Sequence, residues 1–174
     1  MSRAPVRLAV LLVVASAAAG CGYALVGTSR GSLPEEVKNL YVTTFVNETP
    51  RVGLEQLVTD AVLRELATRA RLKPVSQPEQ ADAVLSGRLL SYSVAPVRFD
   101  ETGRALEYEI SLVAKVSLVE RATEKPLYEN PGYVFRQPYK VPPASAYADV
   151  ESAAVQGLAR PFAQSLVTTI LEGF

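Results

Sequence analysis

The chain is poor in groups that do covalent chemistry: it has no histidine and a single cysteine, Cys21. Without imidazole it lacks the usual general base near neutral pH, and no Cys/His set is present from which a zinc site is built. Carboxylates remain. Glu107 and Glu109 stand two residues apart, a spacing that puts both on one face of a strand. Paired carboxylates can divide acid and base roles between them. Their neighbours at the same spacing are Ser111, Lys115 and Ser117, however, so a solvated sheet face accounts for them better. The sequence also lacks a nucleophile elbow, a phosphate loop and a dinucleotide fingerprint. The expectation is a protein without enzymatic activity, without a resident cofactor and without a metal.

One thiol cannot close an intramolecular disulfide, so the meaning of Cys21 comes from what precedes it. Arg3 and Arg7 form a small basic start, and Leu8 to Ala19 is apolar except for Ser16. That run is too short to cross a hydrocarbon core of about 30 Å. It has the length of a signal-peptide core. Ala18, Ala19 and Gly20 then lead into Cys21, which resembles the lipobox of bacterial lipoproteins. The resemblance implies cleavage before Cys21 and acylation of that cysteine. Each buried methylene contributes about 0.8 kcal/mol, and several acyl chains hold a protein where one does not. The next residue is Gly22, not Asp. By the sorting behaviour of such lipoproteins, this implies a periplasm-facing anchor in the outer membrane.

Loss of residues 1–20 takes Arg3 and Arg7 with it, leaving 16 basic and 18 acidic residues. Nothing in that balance points to nucleic acid. Three segments result: a signal peptide at 1–20, a lipidated and flexible tether at 21–36 rich in Gly and Ser, and one globular domain at 37–174.

Within the domain, Val37 to Phe45 is rich in β-formers and predicts a first strand. Thr49 and Pro50 have the chemistry of a helix cap and first helical position. From Gly53 to Arg71, Leu54, Leu57, Val58, Ala61, Val62 and Leu66 recur on one helical face. Leu72 to Ser76 predicts a short edge strand, because Pro74 cannot donate to a ladder. Ala83 to Arg98 reads as a strand with Gly87 as its bulge. After the turn residues Asp100–Gly103 comes the clearest alternation of the chain. Leu106, Tyr108, Ile110, Leu112, Ala114, Val116 and Leu118 share one face. Leu127 to Tyr139 is a further strand, interrupted at Asn130-Pro131-Gly132. Ser145 to Glu172 is helical, with a kink or break expected near Gly157 because of Pro161. Strand runs and helices do not alternate strictly, which predicts an α+β two-layer sandwich: two helices on one face of a mostly antiparallel four-stranded sheet.

The assembled order resembles the lipopolysaccharide-assembly lipoprotein family LptE. The resemblance rests on Cys21-Gly22-Tyr23-Ala24-Leu25, on Leu40 to Pro50 followed by Leu54-Glu55-Gln56-Leu57, and on Ala81 to Gly87. It extends to Tyr128-Glu129-Asn130-Pro131-Gly132-Tyr133 and to Ile170-Leu171-Glu172-Gly173-Phe174. It implies a plug in the outer-membrane barrel LptD that helps the barrel assemble and helps pass lipopolysaccharide to the cell surface. It also implies contact with the anionic lipid headgroup. Arginine suits that contact because its fork binds two phosphate oxygens. The candidate ligand-binding residues are Arg98 and Arg104, which flank the Asp100–Gly103 turn, followed by Arg136 and Lys140. The stretch Leu40 to Arg71 is also similar to envelope lipoproteins that activate cell-wall synthases or join secretion assemblies, and this is the alternative reading.

Overall fold

The structure, a computed structural model, describes residues 33–69, 71–140 and 147–172. The signal peptide, Cys21 and the tether up to residue 32 lie outside the described residues. The elements in chain order are β1 (Asn39–Val42), β2 (Val46–Asn47), α1 (Leu54–Thr68), β3 (Lys73–Val75), a 3-10 turn (Pro78–Gln80), β4 (Ala83–Phe99), β5 (Ala105–Glu120), β6 (Pro126–Lys140) and α2 (Tyr147–Glu172).

The strands form one sheet ordered β3-β1-β4-β5-β6, with β2 also on β4. β4, β5 and β6 are long antiparallel neighbours, whereas β1 runs parallel to both β3 and β4. The class is the expected α+β, but the sheet has six strands rather than four. Two local features make the difference: the short strand β3 joins the sheet by pairing with β1, and the first strand is divided. β1 and β2 are one strand run split in two, pairing with Ala83–Leu85 and with Arg88–Leu89 of the same strand. Between them the chain leaves the ladder so that Phe45 can enter the core, where it is 1% exposed. Thr43 N–H to the Leu85 carbonyl and Glu48 N–H to the Leu89 carbonyl, each 2.9 Å, hold the detour against β4.

α1 begins at Leu54 with Gly53 in the left-handed region at φ 82°. Thr49 therefore does not cap the helix. Asn47 Oδ1 instead accepts the Thr49 backbone N–H at 3.0 Å and the Thr49 hydroxyl at 2.7 Å. Short polar side chains offer the backbone this alternative to a helix start. Leu54, Val58, Ala61, Val62 and Leu66 of α1 are buried as the periodicity requires. So are Leu158, Phe162, Leu166 and Ile170 of α2. α2 is continuous from Tyr147 to Glu172 with Pro161 inside it, so the break expected near Gly157 does not occur. The two helices also meet through Arg69, which pairs with Glu65 at 2.8 Å and donates to the Thr168 hydroxyl at 3.2 Å.

The core lies between these helices and one face of the sheet. Leu85, Leu89, Ile110, Leu112, Ala114, Val116 and Leu118 supply the sheet side. Phe162 meets Tyr133 and Phe135 edge-on at 5.7 and 5.8 Å, an arrangement favoured by the ring quadrupoles. The Tyr133 hydroxyl shares a 2.6 Å hydrogen bond with that of Ser165, tying β6 to α2. The packed body begins ahead of Val37: Leu33 is already buried, and Arg71 donates to the carbonyls of Leu33 and Pro34.

Candidate functional site

Neither described helix covers the second face of the sheet, and the candidate cations are on it or at its far end. Register fixes the arrangement. Arg98 of β4 opposes Glu107 of β5, which in turn opposes Lys140 of β6. Two rows nearer the middle, Ser93, Ser111 and Arg136 are aligned in the same way. Period-2 alternation gives Glu107, Glu109 and Ser111 a common face. Arg98, Arg136 and Lys140 thus come from two strands to one end of one surface. Arg104 is in the β4–β5 turn beside them.

These cations are accompanied by acids. Arg98 Nε is 3.5 Å from Glu107, and Arg136 Nε is 3.7 Å from Glu109. Arg104 Nε is 3.2 Å from Asp100. Lys140 makes no ion pair among the described residues. Glu107 and Glu109, read from sequence as a merely solvated face, are the counter-ions of Arg98 and Arg136. Alternation placed both acids on one face, but cross-strand register is a tertiary property and could not name their partners.

The turn that carries Arg104 is built on Asp100. Its carboxylate accepts the Thr102 hydroxyl at 2.6 Å and the backbone N–H groups of Thr102 and Arg104, each at 2.9 Å. The Thr102 hydroxyl first, then these N–H groups and the Arg104 charge, hold the Asp100 carboxyl below its ordinary range. Gly103 supplies the left-handed position at φ 81° that closes the turn. Arg104 therefore braces its own loop in addition to facing solvent.

Chemically, this is an exposed surface on which three of the four cations are paired with acids. Arg98 and Arg136 are 58% and 65% exposed, and each approaches its glutamate through Nε at 3.5 Å or more. Exposed pairs of this kind contribute at most about 1 kcal/mol. The outer edge of each guanidinium thus remains available to an oxyanion, which can displace the carboxylate at small cost. The tyrosines that cluster in this half of the sequence serve mainly the interior. Tyr133 is buried, and Tyr92, Tyr128 and Tyr139 pack on the core from its margin.

Among the described residues, no group of His, Cys, Asp and Glu could hold a metal ion. No described helix is long and apolar enough to cross a membrane.

Comparison with known proteins bears on both fold and family. No curated protein matches the chain by sequence. Protein XCC0632 from Xanthomonas campestris has a similar fold, with a TM-score of 0.54 at 15% identity over 80% of this chain and 88% of that one. The hypothetical protein CT253 from Chlamydia trachomatis is also similar, with a TM-score of 0.52 at 11% identity over 79% of this chain and 97% of that one. Such likenesses speak to the fold alone. The family model for lipopolysaccharide assembly, LptE, matches residues 37–170, nearly the whole folded body, and the chain belongs to that family.

Proposed function

We propose that this protein is an outer-membrane lipoprotein, acylated at Cys21, that occupies the lumen of the LptD barrel and supports passage of lipopolysaccharide to the cell surface. Its work is structural and involves no turnover. In this reading the outer edges of Arg98, Arg104, Arg136 and Lys140 meet phosphates of the lipopolysaccharide headgroup as it passes.

The observation that carries the reading is the sheet face that neither described helix covers. Ser91, Ser93, Ser111 and Ser117 and the pairs Arg98–Glu107, Arg136–Glu109 and Lys115–Glu129 line it across the three long strands. Val113 and Val134 interrupt it and Phe99 is exposed at its end, but a surface dominated by serines and ion pairs suits the wet interior of a large barrel, whose lumen-facing residues are polar as well. It would be out of place against lipid.

The test is affinity capture of the tagged, acylated protein from detergent-solubilised envelope, followed by identification of what accompanies it. A salt-resistant, stoichiometric β-barrel is the expected result. Recovery of cell-wall synthases without a barrel would overturn the proposal.

A further inference from the structure

A second pair of cations stands at the opposite end of the sheet face that neither described helix covers, well away from the turn at Asp100. Arg88 of β4 and Lys115 of β5 are direct register partners. Like charges in that position repel and weaken a sheet. They border a concavity of about 240 Å³ whose remaining walls are Thr43, Val46, Ser86, Gly87 and Ser117. Three hydroxyls and two cations therefore surround one hollow.

The hydroxyls are only loosely engaged. Thr43 Oγ1 is 3.4 Å from the Leu85 carbonyl, and Ser86 Oγ is 3.5 Å from the Ser117 carbonyl. Both distances are at the long limit of a hydrogen bond, so either hydroxyl can turn to a better acceptor. The cations are drawn outward in opposite directions, Arg88 to Glu48 at the β2 edge and Lys115 to Glu129 of β6 at 3.9 Å. Arg88 and Lys115 are 57% and 47% exposed, so both pairs are solvent-screened and inexpensive to break.

We infer that this hollow is a phosphate-binding site. A phosphate group between Arg88 and Lys115 relieves their mutual repulsion and accepts from the guanidinium fork, the ammonium and the hydroxyls of Thr43, Ser86 and Ser117. Glu48 and Glu129 are the intramolecular competitors that hold the cations apart when no anion is bound. The chemistry suits either a phosphorylated glycolipid headgroup or free phosphate. The site is separate from Arg98, Arg104, Arg136 and Lys140, and it stands or falls independently of the barrel.

The experiment is titration of the acylated full-length protein in detergent with inorganic phosphate, then with vesicles carrying phosphorylated or dephosphorylated lipid A. Saturable phosphate binding should weaken roughly tenfold or more in R88A/K115A, given the strength of charge-assisted contacts. It should tighten in E48Q/E129Q, a gain that plain solubilising charges would not produce. Circular dichroism of both variants confirms the fold. Competition by the phosphorylated vesicles alone identifies a lipid headgroup as the source, whereas saturation by phosphate without vesicle competition identifies the free anion. Absence of saturable binding in the wild type, or affinity unchanged in both double variants, would overturn the inference. Failure at this site with retained barrel capture leaves the proposed function standing, and the reverse result leaves this site standing.

Discussion

The ring of Phe45 occupies the space that a side chain at Gly87 would need: a Cβ there would fall 2.1 Å from Phe45 Cε1. This contact explains both the glycine in the middle of β4 and the interruption of the strand run between β1 and β2. The chain steps out of the ladder to bring an aromatic ring down onto a strand position left bare for it. Gly87→Ala should cost about 1–3 kcal/mol by overpacking. Phe45→Ala should cost about 3–5 kcal/mol through the cavity it leaves. The two substitutions should not add, because the methyl at 87 projects into the space the ring vacates. Urea unfolding of the two single variants and the double variant measures the coupling, and strict additivity would show that the contact carries no energy.

Thr59 is the buried polar residue of the described core, and its hydroxyl bridges two elements. It accepts the Phe45 N–H at 3.0 Å and donates to the Glu55 carbonyl at 2.7 Å. The first of these bonds satisfies a backbone donor that has left the sheet. Thr59→Val keeps the shape but strands that donor, which should cost about 1–3 kcal/mol. Thr59→Ser keeps the oxygen and should recover most of the loss. Equal thermal stability of the Val and Ser variants would show that the Phe45 N–H finds another partner.

Sequence patterning revealed the regular parts of this fold, and particular residues show why it stopped there. The alternation from Leu106 to Leu118 is a local signal, and β5 follows it. In β4 the same method assigned the bulge to Gly87, but the register slips between Leu89 and Ser91. The slip keeps Tyr92 and Val94 on the core side after Leu85 and Leu89. Nothing in the Leu-Leu pair at 89 and 90 marks it, because the cause is the phase of the opposing strand. The interruption expected at Asn130-Pro131-Gly132 takes the form of a second slip, where Tyr133 pairs with Ala114 and Asn130 with Val116. Pro161 was read by its intrinsic cost to a helix, about 3 kcal/mol. The buried stripe Leu158, Phe162 and Leu166 offsets that cost and carries α2 through unbroken. At the candidate site, alternation and turn chemistry located the cations. Their pairing with Glu107 and Glu109 required register.

Asp82 gives the stability an acid-sensitive component. Its Oδ2 accepts the backbone N–H groups of Lys38 and Asn39 at 3.0 and 2.8 Å, capping the start of β1. The Asn39 N–H is the larger cause, followed by the Lys38 N–H, and together they hold the carboxyl below its ordinary value of 3.8. The folded state therefore binds the proton less readily than the unfolded chain. Its contribution is complete above the unfolded pKa and is lost as pH falls through the lowered folded value. Asp82→Asn should be destabilised at pH 7 and should show a flatter stability curve below about pH 4. Parallel curves for the two proteins across that range would remove Asp82 as a source of acid sensitivity.

The pairing of Arg98 with Glu107 and of Arg136 with Glu109 makes a prediction about the ligand as well as the fold. If these arginines meet lipopolysaccharide phosphates, the glutamates compete for the same guanidinium groups. Removing two negative charges beside the ligand also lowers the repulsion it must overcome. Glu107→Gln with Glu109→Gln should therefore raise affinity for lipopolysaccharide severalfold at low salt, with the gain shrinking as salt screens the charges. Stability should change by no more than about 1 kcal/mol, since both pairs are exposed. Arg98→Ala with Arg136→Ala should act in the opposite direction. Binding to immobilised lipopolysaccharide at two ionic strengths reads both effects. Two variants that bind as the wild type does would reduce the arginines to solubilising charges and move the headgroup contact elsewhere on the protein.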